Sequence, residues 1–220
     1  MSRQHRKPKF EGDIRVLELA SYVSPKIIED PRKDFVMYGE DNNFYQYLID
    51  TFMASPTNHA CINGISEMIY GRGLDALNSS AKPDQYAQMI SLMKKDVIKK
   101  VIYDYYLMGG AAIQVIYGKG RKQIVQIEHI PVETLRAEIS SDKGQIEGYY
   151  YSPDWSKYKS SDKLKRIPAF GTSKENIEIL FIKPYKAGYY YYSPPAYTGG
   201  LQYAELEAEI SNFHMSNISR

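Results

Sequence analysis

An α+β fold with its helices first is predicted by three changes of pattern along the 220 residues. From about 44 to 108 the apolar residues recur at helical spacing. After Gly109-Gly110 the period drops from 3.6 to 2, and after Pro194-Pro195 it returns to 3.6. The expected architecture is amino-terminal helices, then an antiparallel β-sheet of hairpins, then a carboxy-terminal helix. On this pattern the chain divides into an extended arm (1–40), a helical region (41–108), a β region (109–193), and a Pro-Pro junction with a terminal helix (194–220).

The arm carries prolines at 8, 25 and 31, mixed charge, and one short apolar run from Ile14 to Leu19 that suits an edge strand. So little apolar material is expected to need another surface to order it. The cluster Arg3, Arg6, Lys7, Lys9 reads as a solvated tail rather than a nucleic-acid contact. A turn-rich hexad, 38–43, precedes the first helix at 44–53, with Asn42 or Asn43 placed to cap it. Ser55-Pro56 opens the second helix, because Ser is a good N-cap and Pro suits the first helical position. That helix is expected to stop at Gly71-Arg72-Gly73 and to bury Ala60, Ile62, Ile65, Met68 and Ile69. One further helical region is predicted from Pro83 to Met108, with Lys94, Lys95, Lys99 and Lys100 on its solvated face.

In the β region, 111–117 and 123–130 form a hairpin around a glycine-rich turn, and 135–139 with 145–151 form a second. Further strands are expected at about 165–170 and 177–183, and the tyrosine run 189–192 reads as a strand ended by Pro194 and Pro195, which cannot donate to a ladder. Gly199-Gly200 then permits a tight entry into the last helix. Leu201, Ala204, Ala208, Ser211 and Met215 lie near one stripe of it, widened by Leu206, Ile210, Phe213 and Ile218, while Glu205, Glu207 and Glu209 sit near its start, where the helix dipole favours negative charge. Such a stripe, running to Arg220 with no element after it, marks a chain cut short or a surface meant for a partner. The residues assigned to that oligomer or partner interface are Tyr197, Leu201, Leu206, Ile210, Phe213 and Met215.

Composition excludes several classes. Lys and Arg number 28 against 26 Asp and Glu, a net +2, which is too balanced to argue for nucleic-acid binding by charge alone. The single cysteine, Cys61, rules out a disulfide within the chain and, between Ala60 and Ile62, reads as a small buried residue. No apolar run approaches a membrane span, and the basic amino terminus lacks the apolar stretch of a signal peptide. The histidines His5, His59, His129 and His214 fall in different elements without ligand spacing. The glycine pairs 71/73 and 118/120 lack the strand-to-helix context of a phosphate loop. No catalytic, cofactor-binding or metal-ligating residue is therefore assigned, and no enzyme is expected. Of 21 tyrosines, 11 lie between Tyr149 and Tyr203. They suit either the strands of a half-wet sheet or an aromatic-rich, non-catalytic module that binds a small ligand or peptide through 149–151 and 189–192.

Several segments, in order, resemble the amino-terminal half of a tailed-bacteriophage portal protein of the kind carried by phages and prophages of Bacteroidetes. They are VMYGEDNNFYQYL at 36–48, NHACINGISEMIYGRGL at 58–74, DYYLMGGAAIQV at 104–115, IEHIP at 127–131, GYYYSPDW at 148–155, and the Ser193-Pro194-Pro195-Ala196-Tyr197 segment entering the last helix. The resemblance implies one wing-like portal domain over 41–220. It implies a structural virion protein, assembled in the bacterial host cytoplasm into a ring, usually of twelve copies, at the capsid vertex where DNA is packaged and ejected. Its implied partners are further copies of itself, terminase, the major capsid protein, head–tail connector proteins and, transiently and without sequence preference, double-stranded DNA. No cofactor or membrane is implied. Portal subunits are usually much longer, with stem, clip and crown following the helix at which this chain stops.

Overall fold

The structure, a computed structural model, describes residues 25–218. The first described elements form a small antiparallel ribbon of β1 (Ile27–Ile28) and β2 (Met37–Tyr38). Two helices follow, α1 (Phe44–Ala54) and α2 (Pro56–Tyr70), separated by Ser55 alone. Ser55 ends α1 and caps α2, its side-chain oxygen accepting the Asn58 N–H at 3.2 Å, as the Ser-Pro pair predicts.

The helical region expected over 83–108 is two helices, α3 (Pro83–Leu92) and α4 (Lys95–Met108). The break falls at Met93 and Lys94, where Lys94 is extended (φ −59, ψ 148). Packing explains it. Val97, Asp104, Leu107 and Met108 of α4 are buried, whereas α3 has no buried residue. The turn lets α4 follow the core alone.

The β region contains two three-stranded antiparallel sheets, not one. The first has the order β4–β3–β8, from β3 (Ala111–Tyr117), β4 (Ile124–Ile130) and β8 (Ile177–Ile182). The second has the order β5–β6–β7, from β5 (Leu135–Ala137), β6 (Gly148–Tyr151) and β7 (Lys165–Pro168). Both predicted hairpins are present, and a parallel bridge between Ala169 and Ile179 joins the sheets. Helix α5 (Leu201–Ile218) closes the described chain, so helices, antiparallel sheets and a terminal helix stand in the predicted order.

The core lies where α1, the end of α4, both sheets and the tyrosine run meet: Tyr38, Phe44, Leu48, Leu107, Ala112, Leu135, Ile179, Tyr192 and Leu201 all belong to one cluster. Four expectations need correcting here. Residues 189–192 are not a strand. Tyr191 and Tyr192 are buried and bond to the second sheet through their hydroxyls: the Ala137 N–H donates to Tyr192 at 2.9 Å, the Ser140 N–H donates to Tyr191 at 3.1 Å, and Tyr192 donates to the Val36 carbonyl. Burial of a tyrosine with its hydroxyl satisfied does not require strand geometry. The surface that the segment before 41 was expected to need is, over Phe35, Val36 and Tyr38, this core itself. On α2 only Ile62 and Ser66 are buried, so Ala60, Ile65, Met68 and Ile69 do not form a core face. Cys61, on the same helix, is exposed rather than buried. Asn43 stands at the N-cap position of α1, as expected, but its side chain makes no capping hydrogen bond. The edge strand expected at Ile14–Leu19, the basic cluster at 3–9 and His5 lie outside the described residues.

Candidate subunit interface

Helix α5 is held to the body by its first two turns. The chain enters it along Ser193-Pro194-Pro195, against which Gly109 packs backbone to backbone. Gly109 caps α4 in the left-handed region (φ 78), and a Cβ placed there would lie 2.1 Å from the Ser193 carbonyl oxygen and 2.6 Å from the Pro195 nitrogen. Only glycine fits that position. The Tyr197 hydroxyl donates to the Leu107 carbonyl at 2.8 Å, and burial pushes its pKa up. Lys186 reaches the Pro195 carbonyl at 2.9 Å. Leu201 is 0% exposed and Ala204 is buried beside it.

Two carboxylates complete the attachment. Glu205 accepts from the Tyr47 hydroxyl of α1 at 2.5 Å. Glu207 accepts from the Ser55 hydroxyl, from the Thr57 hydroxyl at 2.6 Å and from the Thr57 N–H at 3.2 Å. It sits at the amino-terminal end of α2, where free N–H groups and the dipole favour an anion. The Ser55 and then the Thr57 hydrogen bonds hold its carboxyl below the usual value of 4.5.

Beyond Glu207 the helix leaves the body. The six assigned interface residues therefore divide: Leu201 is in the core and Tyr197 is partly buried against it, while Leu206, Ile210, Phe213 and Met215 are exposed, Met215 at 67%. The acidic residues near the start of α5 were read as dipole partners of their own helix. Two of them serve instead at α1 and α2, a tertiary role that spacing within α5 does not encode.

The tyrosine runs do not assemble a ligand surface. Tyr149, Tyr191 and Tyr192 are buried, Tyr150 and Tyr151 are half-buried, and Tyr190 is the exposed member of its run. Other ionisable side chains meet structurally. His129 on β4 pairs with Asp104 on α4 at 2.8 Å, and the same Asp104 oxygen accepts the Val132 N–H at 3.3 Å. Burial pushes the Glu133 carboxyl up, against a backbone hydrogen bond that lowers it, with nearby Asp104 adding to the rise. Among the described residues no three His, Cys, Asp or Glu are placed to hold a metal ion, and no helix is long and apolar enough to cross a membrane. His59 stacks on Phe52 and His214 lies exposed on α5.

Sequence reasoning missed Arg136. It lies on β5, is 2% exposed, and donates to the carbonyls of Asn42 (2.8 Å), Glu133 (3.0 Å) and Leu135 (2.8 Å) as well as to the Asn42 side chain. Its guanidinium also lies over the rings of Tyr45 and Trp155 at 5.2 and 5.0 Å, and burial lowers its pKa. Asn42, with φ 57, gives its side-chain oxygen to both Arg136 and the Tyr38 N–H. The hexad 38–43 thus locks the first helix to the second sheet rather than capping that helix through a side chain.

No family model matches the sequence, and no curated protein matches it. Among solved structures, the fold is similar to a chain in the neck of an empty GTA particle computed with C6 symmetry, with a TM-score of 0.62 and 12% identity. The match covers 89% of this chain and 49% of that one, so this chain spans about half the length of its structural neighbour. At that identity the likeness is one of fold.

Proposed function

We propose that this chain is the wing-like part of a portal-ring subunit, a structural virion protein at the capsid vertex through which DNA is packaged and ejected. The observation that carries the reading is the fold shared, over 89% of this chain, with a chain in the neck of a GTA particle. The ordered segments from 36 to 218 support the same family independently, as does an α5 whose outer half is apolar and exposed. A ring of twelve copies is compatible with the C6 symmetry of the neighbour's neck. In this reading the ring contacts the major capsid protein and head–tail connector proteins, terminase docks on it and supplies ATP hydrolysis, and the subunit itself is not an enzyme. DNA passes with loose, sequence-independent contacts, because a conduit that gripped phosphates tightly would stall the duplex. The near-neutral net charge of +2 agrees with that.

Negative-stain electron microscopy of the complete gene product, with co-purification of terminase and capsid proteins, tests the proposal. Rings that retain those partners are expected. A gene product that forms no rings and binds neither partner overturns it. The aromatic-module alternative is disfavoured by the burial of Tyr149, Tyr191 and Tyr192.

A further inference from the structure

The first sheet ends in an open edge. Its order β4–β3–β8 makes β4 terminal, and β4 is seven residues long. The Tyr117 N–H donates to the Asn176 carbonyl at 2.8 Å, so Tyr117, Val115 and Ile113 bond toward β8, and Ile116, Gln114 and Ala112 bond toward β4. Their partners on β4 are Gln126, Glu128 and Ile130, which leaves the backbone N–H and C=O of Ile127 and His129 directed away from the sheet. No described residue is bonded to these four groups. Open edges are ordinarily blunted by lysine, proline or a bulge. β4 carries neither lysine nor proline, and its one irregularity lies at its first residues, opposite Ile116 and Tyr117.

The root of the amino-terminal arm lies near the carboxy-terminal end of β4. The Gly39 N–H donates to the Lys26 carbonyl at 2.7 Å and the Asn42 N–H to the Gly39 carbonyl at 3.2 Å, while Arg136 joins the carbonyls of Asn42 and Glu133. Glu133 follows closely on Ile130, the last residue of β4. Pro25, at the root, is buried, and 24 residues precede it. Among them the run 14–19 is apolar, includes β-branched Ile14 and Val16, and holds no glycine or proline. The chain from Leu19 to Pro25 can span about 20 Å.

We infer that residues 14–19 of this chain add to the outer edge of β4 as a fourth strand of the first sheet. The occupant is this segment because it is a strand-forming run tethered beside an edge that lacks a partner, and a tether holds it there at roughly millimolar effective concentration. With its carboxy-terminal end tied near Ile130, the run lies parallel to β4. The assignment does not depend on the ring reading.

Amide hydrogen exchange of the full chain, read by NMR, tests it. The Ile127 and His129 amides are expected to be protected. Only alternate residues of an edge strand bond to their neighbour, so one of Val16→Pro and Leu17→Pro removes a donor to β4 and the other an outward N–H. One variant should therefore lower protection at Ile127 and His129 at least about ten-fold and the other should not, with Gln126 and Glu128, bonded to β3, unchanged in both. Free exchange at Ile127 and His129 in the unaltered chain overturns the assignment, and so does an equal response of the folded variants to the two prolines. Protection that grows with protein concentration means a strand from a second copy and overturns it as well. Where a proline variant fails to fold, a spin label on Gly12→Cys decides, in a Cys61→Ala background that removes the exposed native thiol and leaves 14–19 intact. It should broaden the Ile124 and Val125 amide signals more than that of Ile130. The reverse order, or no broadening, refutes the parallel strand.

Discussion

The body around Arg136 and the surface formed by α2, α3 and the outer half of α5 are built on opposite principles. In the body, the costliest buried groups are answered: Arg136 by three carbonyls, Asn42 and two rings, Tyr192 by Val36 and Ala137. Glu178 is a further case. Burial pushes its carboxyl up, but Arg121, the Gly171 N–H and Ser173 together outweigh this and hold it below its usual value. At the periphery, large apolar side chains such as Met68 and Leu77 stay exposed among the described residues. The body matches most of the polar groups it buries, whereas the periphery leaves apolar groups at the surface.

That contrast predicts a steep ranking of mutational effects. Arg136→Ala should cost about 4 kcal/mol in urea unfolding, because it strands the Asn42 and Glu133 carbonyls in a dry site. Gly109→Ala comes next, at about 3 kcal/mol, since the added methyl strikes the Ser193 backbone and the left-handed conformation disfavours it. Limited proteolysis should then cut near 193–200 first. Tyr192→Phe, which keeps the ring stacked 4.6 Å from Tyr38 but deletes the hydroxyl, should cost about 2 kcal/mol by thermal unfolding. Leu77→Ser should change the stability of the isolated chain by no more than about 0.5 kcal/mol in the same urea assay. A large loss of stability there would erase the distinction between the two regions.

The attachment of α5 sharpens the comparison through pH. Glu207 has a folded-state pKa below its ordinary 4.5, so its stabilisation is fully present above that value and is lost as pH falls through the lower, folded-state pKa. Hydrogen-exchange protection along α5, corrected for the intrinsic slowing of exchange in acid, should therefore fall on acidification before that of the body. Glu207→Gln should flatten that dependence while leaving exchange in the body unchanged. Simultaneous loss of protection in both regions would show that α5 has no separate anchorage.

Local patterns were legible where the cause is local. Ser55-Pro56 announces the start of α2, the change of period at Gly109 announces the sheets, and both hairpins follow from their turns. Misread positions have non-local causes. The split between α3 and α4 reflects a core that reaches Val97 and goes no further toward α3. Ile65, Met68 and Ile69 have helical spacing, but spacing says which face is apolar and not whether this chain covers it. Arg136 gave no signal, because its partners are carbonyls, and every residue has one. For α5, the apolar stripe was visible from Leu206 to Met215, yet Glu205 and Glu207 disclose their role only when Tyr47, Ser55 and Thr57 are brought beside them.

The backbone contact of Gly109 with Ser193 and Pro195 has a mechanical consequence. Helix α5 has 18 residues, a lever about 27 Å long, and its fulcrum lies within the first two turns. Side chains yield under torque by changing rotamer, but two main chains in van der Waals contact do not. The Gly109 contact therefore fixes where the chain enters α5, while the helix itself bears on α1 and α2 through Tyr47, Ser55 and Thr57. A tilt of α5 is thus felt first at the junction of α1 and α2, with its entry point held still.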